Sequence, residues 1–412
     1  MKLLCIHDKP RGEMGGMNTF IAAQNRLFAR AGWDITEIIC TPTAQPGTLH
    51  LPPSGRRSGR RALQTLRGMI AEARPDALIA HSIYYALAPQ ALQALQAMIP
   101  SVYVLHDVTP WCPRGTRLTR DGQPCTRTQG IGCIGNGCYR AGETGRWASD
   151  TYGLVVRARQ MRAARSVQQW VVPSDYLGGL LRLHGIADHR IAVVPHFIDG
   201  VHGGNAFQPD VQPVPGRLLY AGRLVTEKGV FCLLEALRQL DQIKQLNWSL
   251  HVCGNGPERA ALQQIVARNG WQTRVSFIDT LAPEALAAAY RQAAVVVMPS
   301  LIPESFGLVG LEAMLHARPV AGFASGGMSE WLRNGSTGCI AEWGNARSLA
   351  QVLRELLERP DYAQRLGAQG REIALREFGA ETHFQRMRAV LEQVTARHAG
   401  QPCVPATHEA RT

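Results

Sequence analysis

Two segments of the second half of the chain carry the residue types a phosphorylated, hydroxyl-rich ligand would need. YAGRLVTEKGV, residues 220–230, sets Arg223 and Lys228 between an apolar run and an amphipathic one. A planar guanidinium fork and a compact ammonium group, with a helix N-terminus behind them, suit a diphosphate leaving group. Two solvated surface cations would read the same if this segment stood alone. PSLIPESFGLVGLEAM, residues 299–314, places Glu304 in a loop and Glu312 in the helix that follows. Eight helical steps span roughly 12 Å at most. That is too far for a tight catalytic pair, but it suits gripping hydroxyls at opposite ends of one ligand, such as a ribose and a sugar joined by a diphosphate. Phe306-Gly307-Leu308 would open the helix and offer N–H groups to the phosphates. Either glutamate alone could equally be an exposed helix acid.

The first half offers less. Gly15-Gly16 lies just before a helix expected to start near Asn18 or Thr19, and could bring backbone N–H groups to an anion or simply make a tight turn. It is not G-x-G-x-x-G, and Ile39-Cys40-Thr41 supplies no acid for a dinucleotide ribose, which disfavours a dehydrogenase. His106 ends an apolar run in VYVLHD, where a histidine taken alone is more often structural than functional.

These residues must be held by elements, and the pattern of the chain names them. Apolar runs at 3–6, 35–39, 77–80, 102–105, 170–172 and 192–194, then at 218–221, 249–253, 275–278, 295–298, 319–323 and 338–341, read as strands. Amphipathic stretches at 19–31, 60–72, 230–240, 258–269, 284–292 and 348–358 read as helices between them. Nearly continuous apolar strands alternating with helices predict parallel sheets covered on both faces. About six strands in each half predicts an α/β chain of two doubly wound, Rossmann-like domains, with ligands at the strand C-termini and a cleft between the domains. The expected boundaries are 1–199, a Gly/Pro-rich linker at 200–216, a second domain at 217–398 whose last helix could pack back on the first, and a frayed tail at 399–412.

Length and charge agree. At 412 residues, 45% apolar and 18% charged, the chain can bury two cores and is not disordered. No run is long and apolar enough to span a membrane, and MKLLCIHDKP reads as a first strand, so the expected compartment is the cytoplasm. The formal net charge is +12, of which residues 1–200 carry +10 (23 basic, 13 acidic). An anionic partner therefore belongs to the first half: nucleic acid, an anionic membrane surface or a phosphorylated substrate, unless the arginine richness is mere coding bias. No aromatic-interleaved basic strand or nucleic-acid motif is present, so a nucleic-acid-binding protein is the disfavoured alternative.

Together, G-R-L-x-x-E-K-G, P-S-x-x-x-E-S-F-G-L-x-x-L-E-A-M and G-G-M-S-E at 326–330 resemble the nucleotide-sugar domain of the retaining glycosyltransferases of family 4, which have the GT-B fold. The likeness is dense over 217–345 and looser before it. It implies that Glu304 holds donor-sugar hydroxyls, Glu312 the nucleotide ribose, and Arg223 and Lys228 the diphosphate. Gly15 and Gly16 would add backbone donors, and His106 would lie near the sugar. Asp279 in VSFIDTL departs from the family's usual glycine, beside the expected base site. The resemblance implies a nucleoside-diphosphate sugar as donor and a glycan or lipid-diphosphate-linked acceptor, in surface polysaccharide or glycolipid synthesis, without a cofactor. The alternatives within this fold are a nucleotide-sugar epimerase and a sugar-phosphate synthase. No D-x-D triplet occurs, and with Arg223, Lys228 and helix ends in its place the reaction is expected to need no Mg²⁺.

Cys112, Cys125, Cys133 and Cys138 form a cluster spaced C-x12-C-x7-C-x4-C, open to three readings: a structural zinc site, free thiols or disulfides. Arginines group at 56, 57, 60 and 61, at 114, 117, 120 and 127, and at 157, 159, 162 and 165. They suit a phosphorylated acceptor or peripheral attachment to the inner face of a membrane, or form a solvated basic face.

Overall fold

The computed structural model describes residues 1–7, 16–40, 49–50, 59–81, 95–138, 162, 164–198, 211–243 and 246–400. The chain divides into two compact units, one of residues 1–195 with 383–412 and one of residues 196–382. Gly15, most of the expected linker and the tail after Gly400 lie outside the described residues.

Among the described residues the first unit is built on seven parallel strands: β1 Lys2–His7, β2 Asp34–Ile39, β3 Leu49–His50, β4 Ala77–His81, β5 Ser101–Val104, β6 Trp170–Val172 and β7 Ile191–Val193, in the order 3-2-1-4-5-6-7. Their interior side chains are apolar because helices cover both faces. Leu4, Ile6, Leu78, Ala80 and Tyr103 pack into one core, and Leu3, Ala77, Ile79, Val102 and Val104 into another, as alternation along a strand requires. Helices α1 Gly16–Arg30, α2 Gly59–Ala73 and α3 Asp175–Leu183 belong to this unit, with Ser174 capping α3 through its side chain. The helix after the first strand begins at Gly16, earlier than expected, so Gly16 lies in its first turn. The two-residue β3 left no apolar run to read.

The second unit holds six parallel strands in the order 10-9-8-11-12-13: β8 Arg217–Ala221, β9 Ser249–Cys253, β10 Val275–Ile278, β11 Val295–Met298, β12 Val320–Phe323 and β13 Gly338–Ala341. Its helices are α4 Val230–Leu240, α5 Arg259–Arg268, α6 Pro283–Gln292, α7 Leu308–Leu315, α8 Ala346–Glu358 and α9 Pro360–Glu377. The order reverses between β8 and β11, a topological switch point, and ligands in open parallel sheets bind beyond the strand carboxyl ends at such points. Helix α10, Ala380–His398, returns to the first unit, where Phe384, Met387, Leu391 and Val394 pack on Leu3, Ile79 and Val102. No described helix is long and apolar enough to cross a membrane.

Candidate functional site

Strands β8 and β11 are hydrogen-bonded neighbours, Val295 opposite Leu218 and Val296 opposite Leu219. The loops leaving their carboxyl ends are therefore adjacent, and these are the two segments singled out in the sequence. The chain after β8 makes a short 3-10 turn, Thr226–Lys228, and reaches α4 through Gly229. Gly229 has φ +72°, and a β-carbon there would stand 1.7 Å from the Pro299 carbonyl oxygen. Only glycine lets the two loops close so far. The backbone N–H groups of Leu301 and Ile302 then donate to the Glu227 carbonyl at 2.9 and 3.2 Å.

That closure brings Lys228 to Glu304. Lys228 Nζ donates to Glu304 Oε1 at 2.5 Å, and Ser300 Oγ donates to the same oxygen at 2.6 Å. The pair is partly open, with side-chain exposures of 22% and 14%. The G-G-M-S-E segment locks the loop from its other side: Gly327 N–H donates to the Glu304 carbonyl at 2.7 Å. Gly326, at φ +61°, would place a β-carbon 2.5 Å from that carbonyl oxygen. Arg223 is exposed, and its backbone carbonyl accepts the Tyr220 hydroxyl at 2.8 Å. Burial raises the Tyr220 pKa, the negative charge of Glu304 raises it further and Arg223 opposes, so Tyr220 stays a neutral donor.

Helix α7 begins at Leu308 with Gly307 as its N-cap, and no side chain caps it. An uncapped N-terminus beside a Lys–Glu pair is a ready anion site. Phe306, just before this N-cap, is held from the interior of the unit. Its ring is 1% exposed and packs edge-on against Phe378 and His196, while its carbonyl accepts the Trp331 indole N–H at 2.6 Å. Glu312 points from α7 to Tyr290, whose hydroxyl donates to Oε2 at 2.6 Å. Burial raises the Glu312 carboxyl pKa and the Tyr290 hydrogen bond holds it back. At the end of β10, Asp279 pairs with Arg259 at 2.8 Å, and Arg259 lies 5.9 Å from the Phe277 ring centre.

In the first unit His106 is buried, with Nε2 hydrogen-bonded to His81 Nδ1 at 2.8 Å and its ring edge-on to Phe20. Asp107 accepts the Thr109 N–H at 2.8 Å, a local turn contact. The four clustered cysteines are free thiols. Arg117 N–H donates to Cys112 Sγ at 3.4 Å, Cys125 N–H to the Arg117 carbonyl at 2.7 Å, and Cys138 N–H to the Cys133 carbonyl at 2.9 Å. Among the described residues no group of three or more ligating side chains could hold a metal ion, so the zinc reading finds no assembled site. Burial first, then the charges of Cys133 and Cys112, push the Cys138 thiol up, with Arg114 opposing and Cys125 adding to the rise. Of the second arginine group, Arg117 is 5% exposed and donates to the Arg127 carbonyl at 2.7 Å, a structural contact rather than a surface charge.

Sequence reasoning missed Ser300, Tyr290 and His81 as partners. Ser300 carried a signal, four residues before Glu304 in the same loop. Tyr290 and His81 carried none, because their partners come from other elements.

Two parallel α/β sheets with this order define a GT-B architecture of two Rossmann-like domains, and solved structures of that class match along nearly the whole chain. A protein HepE from Anabaena, in complex with UDP, covers 95% of this chain and 100% of its own at 18% identity and a TM-score of 0.70. Sucrose-phosphate synthase from Thermosynechococcus elongatus covers 96% and 99% at 20% identity and a TM-score of 0.68. The model of glycosyl transferases group 1 matches residues 207–373, and that of the glycosyl transferase 4-like domain residues 15–196. The chain belongs to the group 1, family 4 glycosyltransferases. It is similar to D-inositol 3-phosphate glycosyltransferase of Pseudarthrobacter chlorophenolicus, 27% identical over 98% of both chains, and to the Streptomyces coelicolor protein of that name, 36% identical over 36% of this chain and 34% of the relative.

Proposed function

We propose that this glycosyltransferase uses a nucleoside-diphosphate sugar, retains the anomeric configuration and needs no metal ion. The observation that carries the reading is the partly open Lys228–Glu304 pair between the β8 and β11 loops, with Arg223 exposed on the first of them. As the glycosidic bond breaks, negative charge collects on the departing diphosphate. Arg223, Lys228 and the uncapped N-terminus of α7 are preorganised to stabilise it, the kind of effect that dominates many enzymatic rate enhancements. Glu304 accepts hydroxyls of the sugar and Glu312 those of the ribose. The acceptor hydroxyl approaches the face from which the diphosphate leaves, through an oxocarbenium-like state, which gives retention. Gly15 and Gly16 would add backbone donors and His106 would lie near the sugar.

A phosphorylated or lipid-diphosphate-linked acceptor fits the +10 charge of the first 200 residues, and peripheral attachment to an anionic membrane surface fits it too. The names of several relatives specify an inositol phosphate acceptor, and solved neighbours hold UDP or UDP and glucose, which supports this class of substrate pair. The reading assigns the enzyme to surface polysaccharide or glycolipid synthesis.

The test is donor hydrolysis by the purified chain over UDP-, GDP-, ADP- and TDP-sugars with EDTA present. Release of one nucleoside diphosphate, abolished by Glu304→Gln and by Lys228→Ala, is expected. Failure to bind or hydrolyse any donor would sink the reading. Retention is read from the anomeric configuration of the product by NMR, and an inverted product would refute it.

A further inference from the structure

Behind each of the two site acids stands a buried hydroxyl. Ser300, 3% exposed, donates to Glu304 Oε1, the oxygen that also takes Lys228. Oε2 of Glu304 receives no hydrogen bond among the described residues. Tyr290, 1% exposed, donates to Glu312 Oε2, and Oε1 of Glu312 likewise receives none. In both carboxylates one oxygen is engaged inside the protein and the other is left to a ligand.

The two donors are themselves held. Ser300 is the second residue after β11, next to Pro299, on whose carbonyl Gly229 closes. The Tyr290 ring stacks on His316 with 5.6 Å between centres and 13° between planes, which fixes where its hydroxyl points. A glutamate has three side-chain torsions, and one hydrogen bond from a fixed donor selects the carboxylate plane. Such outer contacts set how accurately a site residue meets its ligand.

We infer that Ser300 and Tyr290 are positioning residues: Ser300 orients Glu304 toward the donor sugar, and Tyr290 orients Glu312 toward the nucleotide ribose. The inference rests on the roles given above to the two glutamates. A hydroxyl with only a structural role would, when lost, lower stability and every kinetic parameter together. Two separate positioning roles predict a crossed pattern instead.

The experiment uses the full chain, isothermal calorimetry with UDP, GDP, ADP and TDP, and hydrolysis of the nucleotide-sugar that the wild type turns over. Ser300→Ala is expected to lower kcat about tenfold, the scale of one lost hydrogen bond to a charged group, and to change the Kd of the bare nucleoside diphosphate less than threefold. Ser300→Thr, which keeps the hydroxyl, restores kcat. Tyr290→Phe keeps the ring packing and is expected to raise that Kd and KM about tenfold, with the smaller effect on kcat. Because Tyr290 acts through its glutamate, adding Tyr290→Phe to Glu312→Gln raises the Kd no further. Parallel loss of kcat, affinity and melting temperature in both variants would overturn the inference, as would wild-type behaviour of either. An added cost on the glutamine background also refutes positioning. If instead Glu304→Gln and Glu312→Gln leave turnover and affinity intact, the roles of the glutamates have failed.

Discussion

Replacing Gly229 with alanine tests whether loop closure builds the site. The substitution puts a β-carbon 1.7 Å from the Pro299 carbonyl oxygen, so the loops must part by roughly as much again to reach ordinary contact. Parting breaks the hydrogen bonds from Leu301 and Ile302 to the Glu227 carbonyl, worth about 1 kcal/mol each. The left-handed backbone at φ +72° adds about 1 kcal/mol for a residue with a side chain. The sum is about 3 kcal/mol, which lowers the melting temperature by roughly 6–12 °C for a unit of this size. Lys228 precedes Gly229 and moves with it, and a misplacement of about 1 Å at a reacting centre costs on the order of 100-fold in rate. Gly270 is the control. Its φ is +70°, but a β-carbon there meets nothing within 4 Å, so Gly270→Ala isolates the backbone strain of about 1 kcal/mol. Calorimetry and donor hydrolysis on the two variants separate the effects. If Gly229→Ala melts and turns over like Gly270→Ala, the loops are not held together as argued.

Three further outcomes follow from burial. His316 and His383 are 1% and 3% exposed, and burial lowers both to a pKa of about 4 from the ordinary 6.5. Below pH 6.5 the unfolded chain takes up protons that the folded chain refuses, so stability falls as pH drops, by about 2 kcal/mol per histidine at pH 5. Melting curves at pH 7 and pH 5 measure this, and His316→Phe, which keeps an aromatic ring against Tyr290, should remove the share of the second unit; an unchanged slope would contradict it. Glu312 has the opposite sign. Its raised pKa means that acid stabilises rather than destabilises the fold through this group, while nucleotide affinity falls at a higher pH than an ordinary glutamate would impose, and Tyr290→Phe moves that midpoint higher still. Calorimetric titration of nucleotide from pH 7 down to pH 5 reads both, and coincident profiles would refute the coupling. Finally, Gly310→Ala drives a β-carbon to within 1.9 Å of the fully buried Trp331 ring, and should destabilise the second unit by about 3 kcal/mol or more in a urea titration.

Twelve of the thirteen strands among the described residues were legible in the sequence because strands buried on both faces are written as unbroken apolar runs. The missed strand, Leu49–His50, is too short to carry a pattern. Helix α3 was hidden by Gly178-Gly179 inside DYLGGLLRL, and the α9 stretch by Gly367 and Gly370. Gly367 is needed because a β-carbon there would meet the Ala317 carbonyl oxygen at 2.1 Å, a packing reason no local pattern reveals. The cysteine segment shows the same limit. Its spacing permitted a metal site, but which way each sulfur faces depends on turns that spacing does not specify.

For the site, the sequence by itself determined the kinds of group and their order: two cations after one apolar run, two acids after another, and glycines where chain must pass close to chain. Their chemistry is a property of the side chains and needs no fold to state it. Only the tertiary structure decided that these groups meet. Lys228 and Glu304 are 76 residues apart and become partners because β8 pairs with β11 rather than with β10. The same packing chose the hydroxyls of Ser300 and Tyr290 as the donors that hold the acids. Sheet order is set by how whole helices and strands bury their apolar faces, a sum over many contacts far apart in the chain, and a short motif carries no record of it.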